Sequence, residues 1–239
     1  MFILTNSTIS VKQHGFKPSR STESNLALFT DYISESFELG EQIDAFYSDF
    51  SRAFDSVNHR LLFRKLSNIG VRGPALLVIE SYLTGRTAQV KIKNYISSAF
   101  DVPSGVSQGS HLGPLLFFLF INDIVAVIRH LKLLIFADDA KMYKRIETVK
   151  YLADLQSEIN SLVNWSRLNA LDLNIGKCHI ISFHKSKSQF IDQHVYKISD
   201  VKISRVNSIK DLGFYLDSNL RYSGQIDYLC SRRSKFWAF

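Results

Sequence analysis

The stretch LLIFADDAKMY, residues 133–143, places two adjacent carboxylates directly after an unbroken run of apolar residues. A short apolar run of this kind predicts a buried strand, and a charged group beside a buried strand is costly unless something binds it. Asp138 and Asp139 also have a simpler explanation, because acidic side chains in tight turns bond nearby backbone N–H groups. The doublet by itself leaves both interpretations open, and a third acid nearby is the feature that decides between them.

A second apolar run, IDAFYSDF at residues 43–50, carries a candidate third acid, Asp49, near its end. If the two predicted strands are neighbours, Asp49 meets Asp138 and Asp139. Three carboxylates in one place repel one another strongly unless cations bind them, and Mg²⁺ prefers oxygen ligands. Two such ions can activate an attacking hydroxyl and stabilise a leaving pyrophosphate. The sequence therefore predicts a site for two Mg²⁺ ions, or Mn²⁺ in their place, held by these carboxylates.

The remaining patterns predict helices and hairpins that interleave without the βαβαβ rhythm of a parallel sheet. This arrangement is typical of the α+β class, here an antiparallel sheet backed by helices. Asp55 precedes a predicted helix, so we interpret it as the N-terminal cap of that helix and leave it out of the metal site. The predicted helices span residues 21–37, 59–70, 73–85, 115–128 and 149–171, and the predicted strands and hairpins span 43–50, 87–102, 131–146 and 178–184.

The 239 residues carry a net charge of +7, and this charge is unevenly distributed. Residues 1–139 contain 13 basic and 13 acidic groups, whereas residues 140–239 contain 16 basic and 9 acidic groups. A basic C-terminal half suits a polyanion such as nucleic acid, although a solvated lysine-rich surface accounts for the charge equally well. The 2 cysteines are too few for a disulfide framework, and the longest apolar run, residues 115–121, is too short to cross a bilayer. We therefore expect a soluble, intracellular protein without membrane contact.

Five segments occur in an order that resembles a known polymerase family. They are DFSRAFDSVNH (49–59), GVSQGSHLGPLLFFLFINDI (105–124), FADDAKMY (136–143), LDLNIGKC (171–178) and VNSIKDLGFYLD (206–217). Together with the upstream QHGFKPSRSTESNL (13–26), they resemble the reverse transcriptases of non-LTR retrotransposons, in particular those of jockey-like elements. One Asp-Asp pair is a weak signal, whereas five segments in the family's order and spacing are a strong one.

The resemblance implies a right-hand polymerase palm with partial fingers and a truncated thumb. It assigns residues 1–48 to a partial fingers segment, 49–185 to the palm with its catalytic motifs, and 186–239 to a primer-grip hairpin and the start of the thumb. The implied activity is RNA-directed DNA polymerase, with two-metal transfer of a nucleotide from dNTP to a DNA primer 3′-OH on an RNA template. It also implies a fragment of a longer polyprotein, located in the nucleus by analogy with the family, or in the cytoplasm.

The resemblance also assigns roles to matching residues. Asp49 and Asp138 are the main metal ligands with Asp139 beside them, and Lys177 matches the lysine that protonates departing pyrophosphate. The nucleotide-binding residues implied in the same way are Phe54 (an aromatic gate against a 2′-hydroxyl), Gln108 and Gly109 (a loop against the template base and nucleotide), Lys17 and Arg20 (contacts to the triphosphate), and Arg52 (an auxiliary cation).

Each of these assignments has a plainer alternative. Phe54 fits a core aromatic residue at a strand-to-helix corner, and the loop with Gln108 fits a well-capped helix start. Lys177 and the other cations fit solvated surface side chains. The chain also departs from the family pattern at Asp211, where DLG stands in place of the usual YLG, and at Ser107, where proline is usual.

Two other functions are compatible with the same acidic residues. One is a catalytically inactive remnant of this fold that still binds nucleic acid. The other is a metal-dependent phosphohydrolase, but such enzymes usually add histidine ligands, and the 7 histidines here form no HxH or HxxxH pair near an acidic motif.

Overall fold

The computed structural model describes residues 9–185 and 194–234, with side chains as far as residue 231. The first eight residues of the predicted fingers segment, and residues 186–193 and 235–239 of the predicted C-terminal segment, lie outside the described residues. The helices are α1 (Thr22–Glu38), α2 (His59–Asn68), α3 (Pro74–Leu83), α4 (Leu112–Ile121), α5 (Ile124–Val127), α6 (Val149–Leu168) and α7 (Ser223–Ser234). The strands are β1 (Gln42–Ser48), β2 (Thr87–Ala88), β3 (Lys91–Ile92), β4 (Tyr95–Ile96), β5 (Phe100–Asp101), β6 (Lys132–Phe136), β7 (Asp139–Ile146), β8 (His179–Phe183), β9 (Lys197–Ile198), β10 (Val201–Lys202), β11 (Ser204–Val206), β12 (Ser208–Asp211) and β13 (Phe214–Asp217).

Within the described part of the chain, the main sheet has five strands in the order β11-β8-β1-β7-β6. Neighbouring strands are antiparallel except β11 and β8, which are parallel. The predicted α+β class, a mainly antiparallel sheet backed by helices, is confirmed. β1 lies at the centre of the sheet. Because β1 starts at residue 42, the sheet includes part of the segment that the sequence assigned to the fingers. The rest of the predicted division of the chain stays a prediction.

The two faces of the sheet enter separate apolar clusters. Phe46 of β1 packs on one face with the apolar helices α4 and α6. Ile43 of β1 packs on the other face with Phe29 and Ile33 of α1. This division follows from the period of two along a strand, and each fully buried side chain of this size contributes roughly 1.5–3 kcal/mol. The helices therefore cover both faces of the sheet.

The cap of one helix corrects the sequence interpretation. Ser21 caps α1 in a reciprocal capping box with Ser24. The cap of α2 is Asn58, whose side chain accepts a hydrogen bond from the backbone N–H of Leu61 at 3.1 Å. The interpretation of Asp55 as this cap was wrong, because Asp55 lies three residues too early, in the turn between β1 and α2.

The single helix predicted over residues 115–128 is divided into α4 and α5. The interruption falls at two polar residues with distant partners. Asn122 accepts a hydrogen bond from the backbone N–H of Ser10 at 2.9 Å, and Asp123 accepts from Lys65 at 2.8 Å and from the Trp165 indole at 3.0 Å. Polar side chains bound in this way compete with regular helix geometry.

The hairpin predicted over residues 87–102 is confirmed. Its outer strands β2 and β5 pair with each other, and its inner strands β3 and β4 meet at a turn formed by Lys93 and Asn94. None of the helices in residues 9–185 or 194–234 combines the length and apolar character that a bilayer span requires.

Candidate active site

Asp49 and the Asp138–Asp139 doublet meet at one end of the central strands. The pairing of β1 with β7 ends at Ser48 opposite Ala140. One further step along this antiparallel register brings Asp49 opposite Asp139. The two apolar runs, β1 and β6, are not neighbours as the sequence interpretation supposed, because β7 lies between them. Asp49 instead meets the doublet through β7, which begins at Asp139.

Asp138 lies in the two-residue turn Ala137–Asp138 that joins β6 to β7. The segment before α1 braces this turn, because Oε1 of Gln13 accepts hydrogen bonds from the backbone N–H groups of Ala137 (3.3 Å) and Gly15 (2.9 Å). A Cβ on Gly15 would lie only 2.5 Å from the backbone nitrogen of Ala137, so this close approach requires glycine. The QHGF stretch thereby fixes the position of the acidic turn.

Asp49 is supported on its other side by the segment LDLNIGKC. The carbonyl oxygen of Asp49 accepts a hydrogen bond from the backbone N–H of Asn174 at 2.8 Å, and Phe50 forms a β-bridge with Leu173. Nζ of Lys177 lies 3.6 Å from Oδ2 of Asp49. The Lys177 side chain is 68% exposed, so its ammonium is accessible to a ligand beside Asp49.

An open cavity of about 380 Å³ adjoins this group. Of the predicted site residues, Asp49, Asp139 and Lys177 line it. The side chain of Asp138 is half-buried at the turn and does not contribute to the cavity wall. The carboxylates of Asp49 and Asp139 and the exposed ammonium of Lys177 therefore share a space large enough for part of a nucleotide.

The three carboxylates interact electrostatically. Burial raises the pKa of Asp139 to about 6, and the charges of Asp138, Asp211 and Asp49 add to this rise while Lys141 opposes it. Burial also raises the pKa of Asp138, and the charge of Asp49 raises it further whereas Lys177 lowers it. These shifts are those of acids crowded together without full compensation.

This donor set fits a divalent cation in its chemistry, because all three side chains offer carboxylate oxygens. A cation there would relieve the repulsion that raises the pKa values of Asp138 and Asp139. Among the described residues, no three acidic, histidine or cysteine side chains are gathered at metal-ligand spacing. Binding therefore requires these carboxylates to draw together around the ion, and the ligand set itself stays a prediction.

The structure brings the loop with Gln108 and Gly109 next to Phe54. The backbone N–H of Val106 donates to the carbonyl of Phe54 at 2.8 Å, and Nε2 of Gln108 donates to Oδ1 of Asp55 at 3.1 Å. Gly109 is exposed, with a φ of 83° that favours glycine.

Phe54 itself is half-buried, and its ring stacks on Phe117 with centroids 4.3 Å apart. Packing against the core and one open edge are compatible with both interpretations of this ring. The gate role of Phe54 and the template role of the loop stay predictions.

The three predicted cations Lys17, Arg20 and Arg52 do not line the acidic cavity. Nζ of Lys17 donates to the carbonyl of Ser10 at 3.4 Å. Arg20 lines a second cavity together with His14 and Asp31, and Arg52 is exposed in the turn after β1. None of these three cations lines the cavity of Asp49, so contact with a triphosphate remains a prediction that needs a ligand or a movement to bring them closer.

Sequence reasoning missed three polar residues of the acidic cavity, namely Tyr47, Lys141 and Asp211. A signal was available for Lys141, because it lies two residues after Asp139 between the apolar residues Ala140 and Met142, and a buried charge needs a partner. The departure from the family pattern at Asp211 was a second signal. Its pairing with Lys141 links positions separated by 70 residues, which no local pattern reveals.

The amino-acid sequence of the chain is similar to those of known polymerases from transposons. The sequence is 29% identical over 225 residues to a probable RNA-directed DNA polymerase from transposon X-element of Drosophila melanogaster, a match that covers 92% of this chain and 24% of the relative. It is 27% identical over 223 residues to the RNA-directed DNA polymerase from mobile element jockey of the same species, which covers 90% of this chain and 24% of that relative. The chain thus spans about a quarter of the length of the curated relatives it matches.

Solved structures share the fold at lower sequence identity. Apo telomerase from Candida tropicalis, truncated from its C-terminal domain, superposes with a TM-score of 0.59 at 14% identity, over 87% of this chain and 39% of that chain. Telomerase from Candida albicans in complex with a fragment of telomeric RNA gives a TM-score of 0.57 at 11% identity, over 84% of this chain and 33% of that chain. The predicted palm-like architecture is thereby confirmed. Because the model of the family described as reverse transcriptase (RNA-dependent DNA polymerase) matches residues 2–224, the chain belongs to the reverse transcriptase family.

Proposed function

We propose that this chain is the polymerase core of a retrotransposon RNA-directed DNA polymerase, adding deoxynucleotides to a DNA primer on an RNA template. One observation carries the proposal: the β1–β7 register brings Asp49 opposite Asp139 at the wall of an open cavity that Lys177 also lines. Reverse transcriptases as a family use divalent metal ions, and we assign two Mg²⁺ ions, or Mn²⁺, to Asp49, Asp138 and Asp139. When bound, these ions supply activation of the primer hydroxyl and neutralisation of the departing pyrophosphate.

The residues of the chain contribute mainly by positioning and by charge. The β1–β7 pair places the backbones of Asp49 and Asp139 opposite each other, so movement of the side chains alone is enough to gather them around a cation. Lys177, 3.6 Å from the Asp49 carboxylate, has an ammonium that can donate a proton to the leaving pyrophosphate. Phosphoryl transfer depends largely on such positioning and charge stabilisation.

Phe54 is assigned to substrate selection. Its ring is fixed by the stack on Phe117, and the adjoining loop with Gln108 is anchored to the next residue, Asp55. A fixed ring under the incoming sugar would crowd a 2′-hydroxyl and so favour deoxynucleotides. Lys17, Arg20 and Arg52 are assigned to the triphosphate, where cations offset the phosphate charge.

Primer extension tests the proposal. The full chain is incubated with a DNA primer annealed to an RNA template, dNTPs and MgCl₂, beside the variants Asp49→Asn and Asp139→Asn. We expect extension by the parent chain and its loss in both variants. The matched control is Asp200→Asn, which neutralises an exposed acid in the turn between β9 and β10 and should extend like the parent. Extension that persists in Asp49→Asn would overturn the assignment.

A second candidate, the inactive remnant that binds nucleic acid, is favoured by the absence of metal-ligand spacing among the described acids. The same experiment separates the two functions. Binding of the primer–template duplex by a well-folded parent chain, with no extension in either Mg²⁺ or Mn²⁺, supports the remnant. We also propose that the chain is part of a longer polyprotein that acts in the nucleus.

A further inference from the structure

A buried ion pair joins the β12–β13 hairpin to the five-stranded sheet. Nζ of Lys141 contacts Oδ2 of Asp211, and the two side chains are only 4% and 6% exposed. The hydroxyl of Tyr47 donates to the same Asp211 oxygen at 2.9 Å. Lys141 also lies 4.6 Å from the centre of the Phe29 ring. Two strands of the sheet, β1 and β7, therefore contact one carboxylate from the hairpin.

These residues are placed beside the acids of the site. Lys141 follows Asp139 by two residues on β7, and Tyr47 precedes Asp49 by two residues on β1, so each shares a sheet face with the acid of its own strand. The three residues Tyr47, Lys141 and Asp211 line the same cavity as both acids. A shift of Asp211 would therefore change its contacts with Tyr47 on β1 and Lys141 on β7.

The hairpin itself ends at the cavity. Asp211 pairs with Phe214 across a turn formed by Leu212 and Gly213, and both turn residues have positive φ, 48° and 91°, as in the tight turns that join two adjacent strands. Leu212 lines the cavity together with Asp211. On its other side the hairpin rests on α7, where Gln225 accepts a hydrogen bond from the backbone N–H of Tyr215 at 3.0 Å.

Stability alone does not explain a charge pair at this position. Apolar residues of similar volume often serve as well as a buried ion pair or better, whereas loss of one partner leaves a buried charge uncompensated. What such a pair provides is a defined geometry, since the contact is directional and a displaced hairpin leaves both charges unsatisfied. Here the Lys141–Asp211 pair defines the position of the hairpin at the cavity wall.

We propose that the Lys141–Asp211 pair is a positioning device that fixes the Leu212–Gly213 turn at the cavity wall and so aligns the primer end with Asp139. The primer part of this inference rests on the proposed polymerase function and on the primer-grip role that the family resemblance implies for this hairpin; the new element is the ion pair that holds the hairpin in place. The docking part rests only on the contacts of the hairpin. Lys141 and Asp211 are thus positioning residues that act through the hairpin and do not touch the reacting atoms.

A double-mutant cycle on the full chain tests both parts, with the variants Lys141→Met, Asp211→Asn and the double variant. Hydrogen exchange of the hairpin amides, residues 208–217, reports docking without any need for activity. We expect exchange about tenfold faster in each single variant, because one buried charge is stranded, and a substantial recovery in the double variant, which carries neither charge. The matched control is Lys144→Met, which removes a cation from the same strand and breaks its pair with Asp154; it should leave hairpin exchange unchanged.

Steady-state primer extension completes the test. We expect kcat per active molecule to fall about tenfold in the single variants while the KM for primer–template changes little, because a misaligned primer end slows the chemical step without weakening duplex binding. Hairpin exchange that is as slow as in the parent, or rate effects of the two substitutions that simply multiply in the double variant, would overturn the positioning role of the pair. An unchanged kcat per active molecule with fewer active molecules would reduce the pair to a structural role and overturn the primer part. A parent chain without extension would instead refute the proposed function, and hydrogen exchange would still decide the docking.

Discussion

The ammonium of Lys177 lies 3.6 Å from the Asp49 carboxylate, at the edge of the acidic cavity. This contact joins the segment LDLNIGKC to the end of β1, and the segment is held there by the hydrogen bond from Asn174 to the Asp49 carbonyl. The exposed ammonium of Lys177 is thus held beside the carboxylate of Asp49. The arrangement suits a group that neutralises or protonates a departing phosphate.

Replacing Lys177 by methionine should slow nucleotide incorporation without weakening the duplex complex. General acid catalysis typically contributes about 10²–10⁴-fold, so we expect a single-turnover rate about a hundredfold lower in Lys177→Met. Lys177→Arg should recover only part of the loss, because arginine keeps the charge but does not release its proton. The measurement is rapid-quench incorporation of one dNTP. The control Lys202→Met, at an exposed position of β10, should behave like the parent, and an unchanged rate in Lys177→Met would exclude the role.

The stability of the chain should depend on pH through Asp139. Its pKa is raised from 3.8 to about 6 by folding, so between these values the folded chain binds more protons than the unfolded chain. Stability therefore falls as pH rises from about 4 to about 6 and stays reduced above that range. Because the side chain is partly exposed, solvent screening reduces the size of the effect.

Asp139→Asn removes this proton linkage. Urea unfolding without divalent ions should show the variant gaining stability relative to the parent as pH rises, with the gain complete above about pH 6. A stability difference that is the same at pH 4 and pH 7 would contradict the linkage.

Magnesium should stabilise the parent chain at neutral pH. Under the proposed assignment, the ion binds the folded arrangement of carboxylates and not the unfolded chain, so its free energy of binding adds to the stability. We expect MgCl₂ to raise Tm in the parent and to raise it less in Asp49→Asn. An NaCl control at equal ionic strength accounts for screening. Equal rises in the parent and the variant would place the ion elsewhere.

The sequence predicted the site better than it predicted the contacts around it. Two apolar runs followed by acids were enough to suggest that Asp49 lies near the Asp138–Asp139 doublet, but the strand beside β1 is β7 and not the apolar run β6. The cap of α2 was missed because Asp55 and Asn58 both offer a capping oxygen, and the position of the first helical turn decides between them.

The pair of Lys141 and Asp211 illustrates what local patterns leave out. Whether a lysine in a strand is buried depends on which element covers it, and here that element is a hairpin 70 residues away in the sequence. The Gln13 contact to the acidic turn is similar, since its partner Ala137 is 124 residues away. Tertiary docking decides both, and neither residue has a periodic signal of its own.

A buried polar cluster on β1 should contribute strongly to stability. Asp44 is fully buried and accepts hydrogen bonds from Gln42 (2.6 Å), Ser182 (2.6 Å) and the Tyr196 hydroxyl (2.7 Å). Tyr196→Phe removes one hydrogen-bond donor from the buried Asp44 carboxylate, and we expect a loss of about 1.5–3 kcal/mol in the free energy of unfolding. The control Tyr95→Phe, on the exposed hairpin, should change it by less than about 0.5 kcal/mol. Chemical denaturation measures both, and equal effects would contradict the role of the cluster.

The brace on the acidic turn gives the last prediction. A Cβ at position 15 would lie 2.5 Å from the backbone nitrogen of Ala137, and backbone cannot yield as a flexible side chain does. Gly15→Ala should therefore push the QHGF stretch away from the turn and cost about 1–3 kcal/mol of stability. Because Asp138 lies in that turn, extension activity should fall more than the folded fraction does.

The control for this change is Gly224→Ala in α7, where a Cβ would meet its nearest atom at 3.9 Å. That substitution should be neutral or slightly stabilising, since alanine is the better helix former. Denaturation curves and primer extension on the two variants give the comparison. If Gly15→Ala retained the stability and activity of the parent, the stretch would not brace the turn, and the position of Asp138 would have to be fixed by β6 and β7 alone.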